Sequence, residues 1–330
     1  MTEAIQHILI HSSGRSGSNR LLGMLDVHDW TNCRNEPDEH VTSIRDFMQI
    51  QATLSQEKRD EAWAEALRIA RVSRSKVDPF EQNKAYLRGP AWAVLSQLYR
   101  RQRLRRVLGM TSDEWRLSRL VLPDAKAASI VPVLKMKLSP ISDWLVSYHR
   151  RNTQQTILHI VRHPIAYLKS LFARYISVVY RDDPETNYAL TRVKLGDFPS
   201  MIGQEDLPES YSVFNDFKAQ LLYWRQWNEP IYARFKESAR YLLMTYEDVS
   251  KDLAAAAQNA FSVCGLTLSA AQAREVSVLK NVLFANPHSI SFDTAMAQDA
   301  FDAVMQGSPL LPLWQDPTQL TQVPGAIRST

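Results

Sequence analysis

Cysteine is scarce. Cys33 and Cys264 are the only two in 330 residues, which excludes a disulfide framework and a thiolate-rich metal site and suits a reducing compartment. No run of about eighteen apolar residues occurs, and the N-terminus lacks the basic, apolar, small-residue order of a secretory signal. The expectation is a cytoplasmic protein with no transmembrane segment. Excess charge is also small. A formal charge of +4 fits an anionic ligand but does not demand nucleic acid. The only dense basic run, residues 100–106 with five arginines, carries no interleaved aromatics and reads as a solvated helix face. Two nucleotide signatures are missing as well: the Gly-Lys pair of a Walker A loop and the Gly-x-Gly-x-x-Gly of a dinucleotide fold.

What is present starts at His7. Ile8, Leu9 and Ile10 form the apolar run of a buried parallel strand, and Leu21, Leu22, Met24 and Leu25 recur at helical spacing. Between them lies Ser12 to Asn19. Gly14 and Gly17 permit a tight turn, so that the N–H groups of Ser16, Ser18 and their neighbours converge on one phosphate or sulfate at a helix N-terminus. Arg15 adds a fixed positive charge inside the loop, suited to an oxygen that gains charge as a bond breaks.

Further strands are expected at residues 30–34, 130–137, 156–161 and 240–246, with helices between them. That alternation predicts an α/β fold with a P-loop-like parallel sheet flanked by helices. The expected organisation is a single domain over residues 1–330. A helical insertion after the second strand, about 41–122, has segments near 56–72, 90–108 and 112–120 and is read as covering the active face. Residues 181–211 lack a clear period and read as a lid loop. The last fifty residues, rich in Pro, read as irregular.

Candidate site residues sit at strand ends. Glu36 follows the second strand, held extended by Pro37, and is placed to act as a base. Alternation puts Lys135 and Lys137 on one face of the third strand, so spacing alone does not choose between them. Arg162 ends the fourth strand and Ser170 stands two helical turns later, a pair suited to a second phosphate. Ser139 with Pro140 reads as a helix start, and Gly265 as a C-cap.

Four separated pieces together resemble the sulfotransferases that use 3′-phosphoadenosine 5′-phosphosulfate, in their carbohydrate and tyrosylprotein branch and in a bacterial form. They are Gly14-Arg15-Ser16-Gly17-Ser18, Asn35-Glu36-Pro37, Val161-Arg162-His163-Pro164 with Ser170, and Thr245-Tyr246-Glu247-Asp248-Val249. The match spans about residues 7–265. The resemblance implies that Arg15 to Asn19 holds the 5′-phosphosulfate and that Arg162 and Ser170 hold the 3′-phosphate. It also implies Glu36 as general base, Lys137 as the lysine that neutralises the transferring group, and Tyr246 beside the nucleotide. Asn19 departs from the hydroxyl residue usual at the loop's end. His288 and Ser289 are the nearest candidates for further nucleotide contacts.

The implied reaction is metal-free, in-line transfer of the sulfuryl group from that donor to an acceptor hydroxyl, leaving adenosine 3′,5′-bisphosphate (PAP). The acceptor would be a carbohydrate, a glycolipid or a small natural product; neither it nor the oligomeric state is legible. Two alternatives stay open: an ATP-dependent phosphotransferase with a degenerate loop, and a nucleotide-binding protein without catalysis.

Overall fold

The computed structural model describes residues 5–40, 42–72, 84, 127–136, 142–172, 183–196, 207–279 and 292–315. Five strands, β1 (His7–His11), β2 (Thr31–Asn35), β3 (Val131–Lys135), β4 (Gln155–Val161) and β5 (Tyr241–Thr245), form one sheet in the order β2-β3-β1-β4-β5. Every pairing is parallel, with Ile8 opposite Val133 and Thr156, Asn35 opposite Lys135, and His11 opposite His159. The expected α/β fold is therefore present. All five strand segments are almost wholly buried, as a sheet covered on both faces requires.

Alternation along the strands decides which helices cover which face. Ile8, Ile10, Val133, Leu158 and Leu242 point to one side, where α1 (Ser18–Asp26) and α10 (Leu253–Val263) bury Leu21, Leu25, Ala257 and Phe261 against them. On the other side, Leu9 and Leu134 meet α3 (Thr42–Ile50), α4 (Gln56–Val72) and α5 (Asp143–Arg151) through Phe47, Trp63, Leu67 and Trp144. The β4–β5 half of that face carries α6 (Pro164–Leu171), α8 (Val213–Phe235) and α12 (Thr294–Met305). The shorter elements are α2 (Pro37–His40), α7 (Pro184–Gly196), α9 (Tyr246–Lys251), α11 (Ala270–Ser277) and α13 (Pro312–Gln315).

Three expectations are corrected. Residues 184–196 form a helix rather than a loop: Asp183 accepts the Thr186 N–H at 2.9 Å, Pro184 starts the first turn, and Tyr188, Thr191 and Leu195 are buried. Residues 294–305 are likewise helical, capped by Asp293 and packed through Ala297, Ala300 and Val304. Helix α5 begins at Asp143 with Ser142 as its cap, its side chain accepting from Leu145 N. Gly265, by contrast, closes α10 as expected: φ is +67°, its N–H donates to Ser262 O, and Leu266 N donates to Phe261 O.

Of the helical insertion, the described α3 and α4 cover a sheet face. The segments 90–108 and 112–120 and the arginine run lie outside the described residues, as do Lys137, His288 and Ser289. Lys84 is anchored in the core: its ammonium lies 2.9 Å from the Asp26 carboxylate and donates to His28 O at 3.0 Å. Among the described residues no helix is long and apolar enough to cross a membrane.

Candidate active site

Parallel strands bring their carboxyl ends to one edge. The chain leaves β1 for β2, returns through β3, and crosses to β4 on the far side of β1, which makes the β1–β4 boundary the switch point where a crevice opens. The loop after β1 and Arg162 after β4 face each other there.

The loop's conformation is unusual at two residues. Gly17 has φ +88° and Arg15 has φ +66°, so a non-glycine residue takes a left-handed turn beside the glycine that requires one. Gly14 has no such need, and a Cβ there would meet nothing within 4 Å. The hydroxyls of Ser13 and Ser16, both buried, lie 2.6 Å apart beneath the loop. Helix α1 opens on Gly17 with no side-chain cap, which leaves its first N–H groups for a ligand. Asn19 is exposed on the first turn.

Behind Gly17 stands Tyr246, the first residue of α9. A Cβ on Gly17 would come within 2.2 Å of Tyr246 Cδ2 and 2.8 Å of Cε2. Gly17→Ala must therefore displace a ring while straining φ, and it should destabilise the fold by roughly 1–3 kcal/mol. A denaturant midpoint equal to wild type would show that ring and loop yield freely. The same ring lies beneath Arg162, whose guanidinium carbon is 4.6 Å from the ring centroid. Arg162 also donates to the Arg15 carbonyl at 3.3 Å, and Arg15 Nη2 reaches Ser170 Oγ at 3.5 Å, the long limit for such a contact. The structure thus brings Arg15, Gly17, Arg162, Ser170 and Tyr246 into one cluster.

The β4–α6 junction is fixed from two directions. His163 caps α6, its Nδ1 accepting from Ile165 N at 3.2 Å, and its own backbone N–H donates to Glu247 Oε1 at 3.1 Å. Burial lowers the His163 pKa, which keeps the capping nitrogen an acceptor. Sequence reasoning quoted both residues without giving them this role, since only the fold places α9 beside the end of β4.

Across the edge, Glu36 follows β2. It is not extended: φ is +51°, a correction to the expectation from Pro37. Its N–H still donates in the ladder to Lys135 O at 2.8 Å while Pro37 already starts α2, and that abrupt change of direction overrides the usual preference before proline. Lys135, 7% exposed, donates to Glu36 Oε1 at 3.0 Å and to Asn35 Oδ1 at 2.8 Å. Asn35 was missed in the sequence, although strand register makes it the lateral neighbour of Lys135.

No family model matches the chain, and neither does any curated protein. Solved structures do match. Sulfotransferases are among those to which the chain is similar. One is the sulfotransferase domain of the Synechococcus PCC 7002 olefin synthase, 15% identical over 91% of this chain and 88% of that one, with a TM-score of 0.41. A sulfotransferase from Alicyclobacillus acidocaldarius is 13% identical over 96% and 98%, with a TM-score of 0.42. Retinol dehydratase, solved with androsterone and inactive cofactor PAP, is 12% identical over 94% and 83%, with a TM-score of 0.41.

The residues at the strand ends divide by charge. Arg15 and Arg162 concentrate positive charge at the crevice, with Ser170 as a neutral donor, while the carboxylate of Glu36 pairs with Lys135. Among the described residues no group of three or more His, Cys, Asp and Glu is arranged to hold a metal ion.

Proposed function

We propose that the protein transfers a sulfuryl group from 3′-phosphoadenosine 5′-phosphosulfate to an acceptor hydroxyl. The observation that carries the reading is the convergence of separated segments on one sheet edge: Arg15 touching Ser170, Arg162 held on the Arg15 carbonyl and the Tyr246 ring, and Glu36 paired with Lys135. The donor set fits such a nucleotide. The open N-terminus of α1 with Arg15 suits the 5′ group, and Arg162 with Ser170 suits a 3′-phosphate. When bound, the nucleotide supplies an activated sulfuryl group on a phosphate leaving group.

The chain's residues do the rest. Glu36 takes the acceptor's hydroxyl proton as the acceptor oxygen bonds to sulfur. The bond from sulfur to the bridging oxygen of the 5′-phosphate breaks, and Arg15 with the loop N–H groups stabilises the charge left on that oxygen. Preorganised donors of this kind each contribute about 3–4 kcal/mol. Adenosine 3′,5′-bisphosphate and the sulfated acceptor leave, and Glu36 returns its proton to solvent. Lys137, the lysine that the resemblance favours, lies outside the described residues; Lys135 is the one seen at Glu36.

Calorimetry with adenosine 3′,5′-bisphosphate and ADP, both in chelator, tests the reading. The bisphosphate should bind at least about ten-fold more tightly, since only it gives Arg162 and Ser170 a 3′-phosphate. A preference for ADP, or binding that appears only with magnesium, would replace this reading with a phosphotransferase.

A further inference from the structure

We infer that Asn35 is a positioning residue for the reaction, a neutral tether that holds Lys135 in place while Glu36 changes charge; this rests on the sulfotransferase reading. The Lys135 ammonium has two oxygen partners among the described residues, Asn35 Oδ1 at 2.8 Å and Glu36 Oε1 at 3.0 Å. They come from consecutive residues at the end of β2, and β2 and β3 hold Asn35 and Lys135 in register as lateral neighbours. A lysine ammonium carries three donors and no acceptor, so two are engaged among the described residues and a third remains for the reacting group.

The two partners behave differently during turnover. Glu36 begins as a carboxylate, and its attraction for Lys135 is that of an ion pair; once it accepts the acceptor's proton, that attraction falls to an ordinary hydrogen bond. Asn35 does not titrate, and its amide oxygen accepts equally well before and after. Without it, a four-carbon stem with free rotamers would be released at the moment when the transferring group gathers negative charge. With it, the ammonium stays at the β2–β3 edge and its charge passes from Glu36 to the transferring group without reorganisation. Burial of Lys135 to 7% exposure makes the loss of an acceptor more costly than it would be in water.

A double-variant cycle tests the assignment: Asn35→Leu, Lys135→Met and both together, with release of the bisphosphate from the sulfated donor as the rate. Asn35→Leu should lower kcat by about ten- to a hundred-fold, the range for a hydrogen bond to a charged group. Affinity for the bisphosphate should stay within about two-fold. In the Lys135→Met background Asn35→Leu should have no further effect, because its only route to the reaction has gone. Effects that multiply, or a wild-type kcat in Asn35→Leu, overturn the inference. Near-isosteric Asn35→Asp covers the case in which the leucine variant does not fold: a second carboxylate keeps the lysine but draws its charge away, so kcat falls with bisphosphate affinity retained, and an unchanged kcat is again fatal. If Lys135→Met and Glu36→Gln also leave turnover intact, the underlying reading fails rather than the tether alone.

Discussion

Glu36→Gln is expected to lower sulfuryl transfer by about a hundred- to ten-thousand-fold, the range for a positioned general base, while affinity for adenosine 3′,5′-bisphosphate changes by no more than about two-fold. The structure gives the reason for the split. Glu36 sits after β2, whereas Arg15, Arg162, Ser170 and Tyr246 meet at the β1–β4 boundary, braced by the Arg15–Ser170, Arg162–Arg15 and Arg162–Tyr246 contacts. Glutamine preserves shape and can still accept from Lys135, whose second contact to Asn35 is untouched. The capacity to take a proton is removed, and the ion pair with Lys135 becomes an ordinary hydrogen bond. Bisphosphate release at saturating donor, with an acceptor found by screening, measures the first quantity, and calorimetry measures the second. Wild-type turnover in the glutamine variant would take Glu36 out of the role. A loss of turnover accompanied by an equal loss of nucleotide affinity would make it part of the binding site instead.

Strands β1, β3, β4 and β5 were legible because a strand buried on both faces is mostly apolar, as Ile8 to Ile10 or Ile157 to Val161 show, whereas the polar β2, Thr-Asn-Cys-Arg-Asn, carries no such run. The shared edge of the candidate residues was legible for a related reason: in a parallel sheet, the residues that follow the strands lie on one edge. What could not be read was sideways placement. Asn35 belongs beside Lys135 only because β2 pairs with β3, and Glu247 reaches His163 only because α9 follows β5 next to β4. Helix α7 was hidden by its pattern, since Leu190 and Val193 are exposed while Tyr188, Thr191 and Leu195 are buried, which blurs the apolar stripe. Helix α12 was masked differently. Its buried stripe starts with the two alanines Ala297 and Ala300, too small to stand out beside a proline-rich neighbourhood. Glu36 shows a local rule losing to a global one, because the turn from β2 into α2 sets φ against the preference before proline.

Acid should unfold this protein steeply, and the histidines are the cause. His7, His11 and His159 are buried on β1 and β4, and burial lowers their pKa values from 6.5 to about 4, about 3 and about 4. His159 shows the neutral form built into the fold, with Nε2 donating to Asn228 Oδ1 at 3.0 Å and Nδ1 accepting from the Tyr241 hydroxyl at 2.7 Å. His11 lies opposite it in the sheet, so protonating both would set two like charges side by side. Each folded-state pKa lies below the unfolded one, so the stabilisation is complete above pH 6.5 and is lost as pH falls from there toward 4. Asp216 works in the opposite direction. Its desolvated carboxyl is pushed up to about 6, so the folded state takes a proton that the unfolded state does not yet bind, offsetting one histidine. With His149, which burial also lowers to about 4, a net uptake of about three protons on unfolding remains near pH 5, a slope of about 4 kcal/mol per pH unit. Over two units that approaches the whole stability of an ordinary domain, about 5–15 kcal/mol. Denaturant titrations at pH 7, 6 and 5 measure the slope, and unfolding heats in buffers of different ionisation enthalpy count the protons. A stability unchanged between pH 7 and 5 would mean that these rings reach water in the folded protein. Because His11 is the last residue of β1 before the anion loop, nucleotide binding should fail over the same pH interval as the fold.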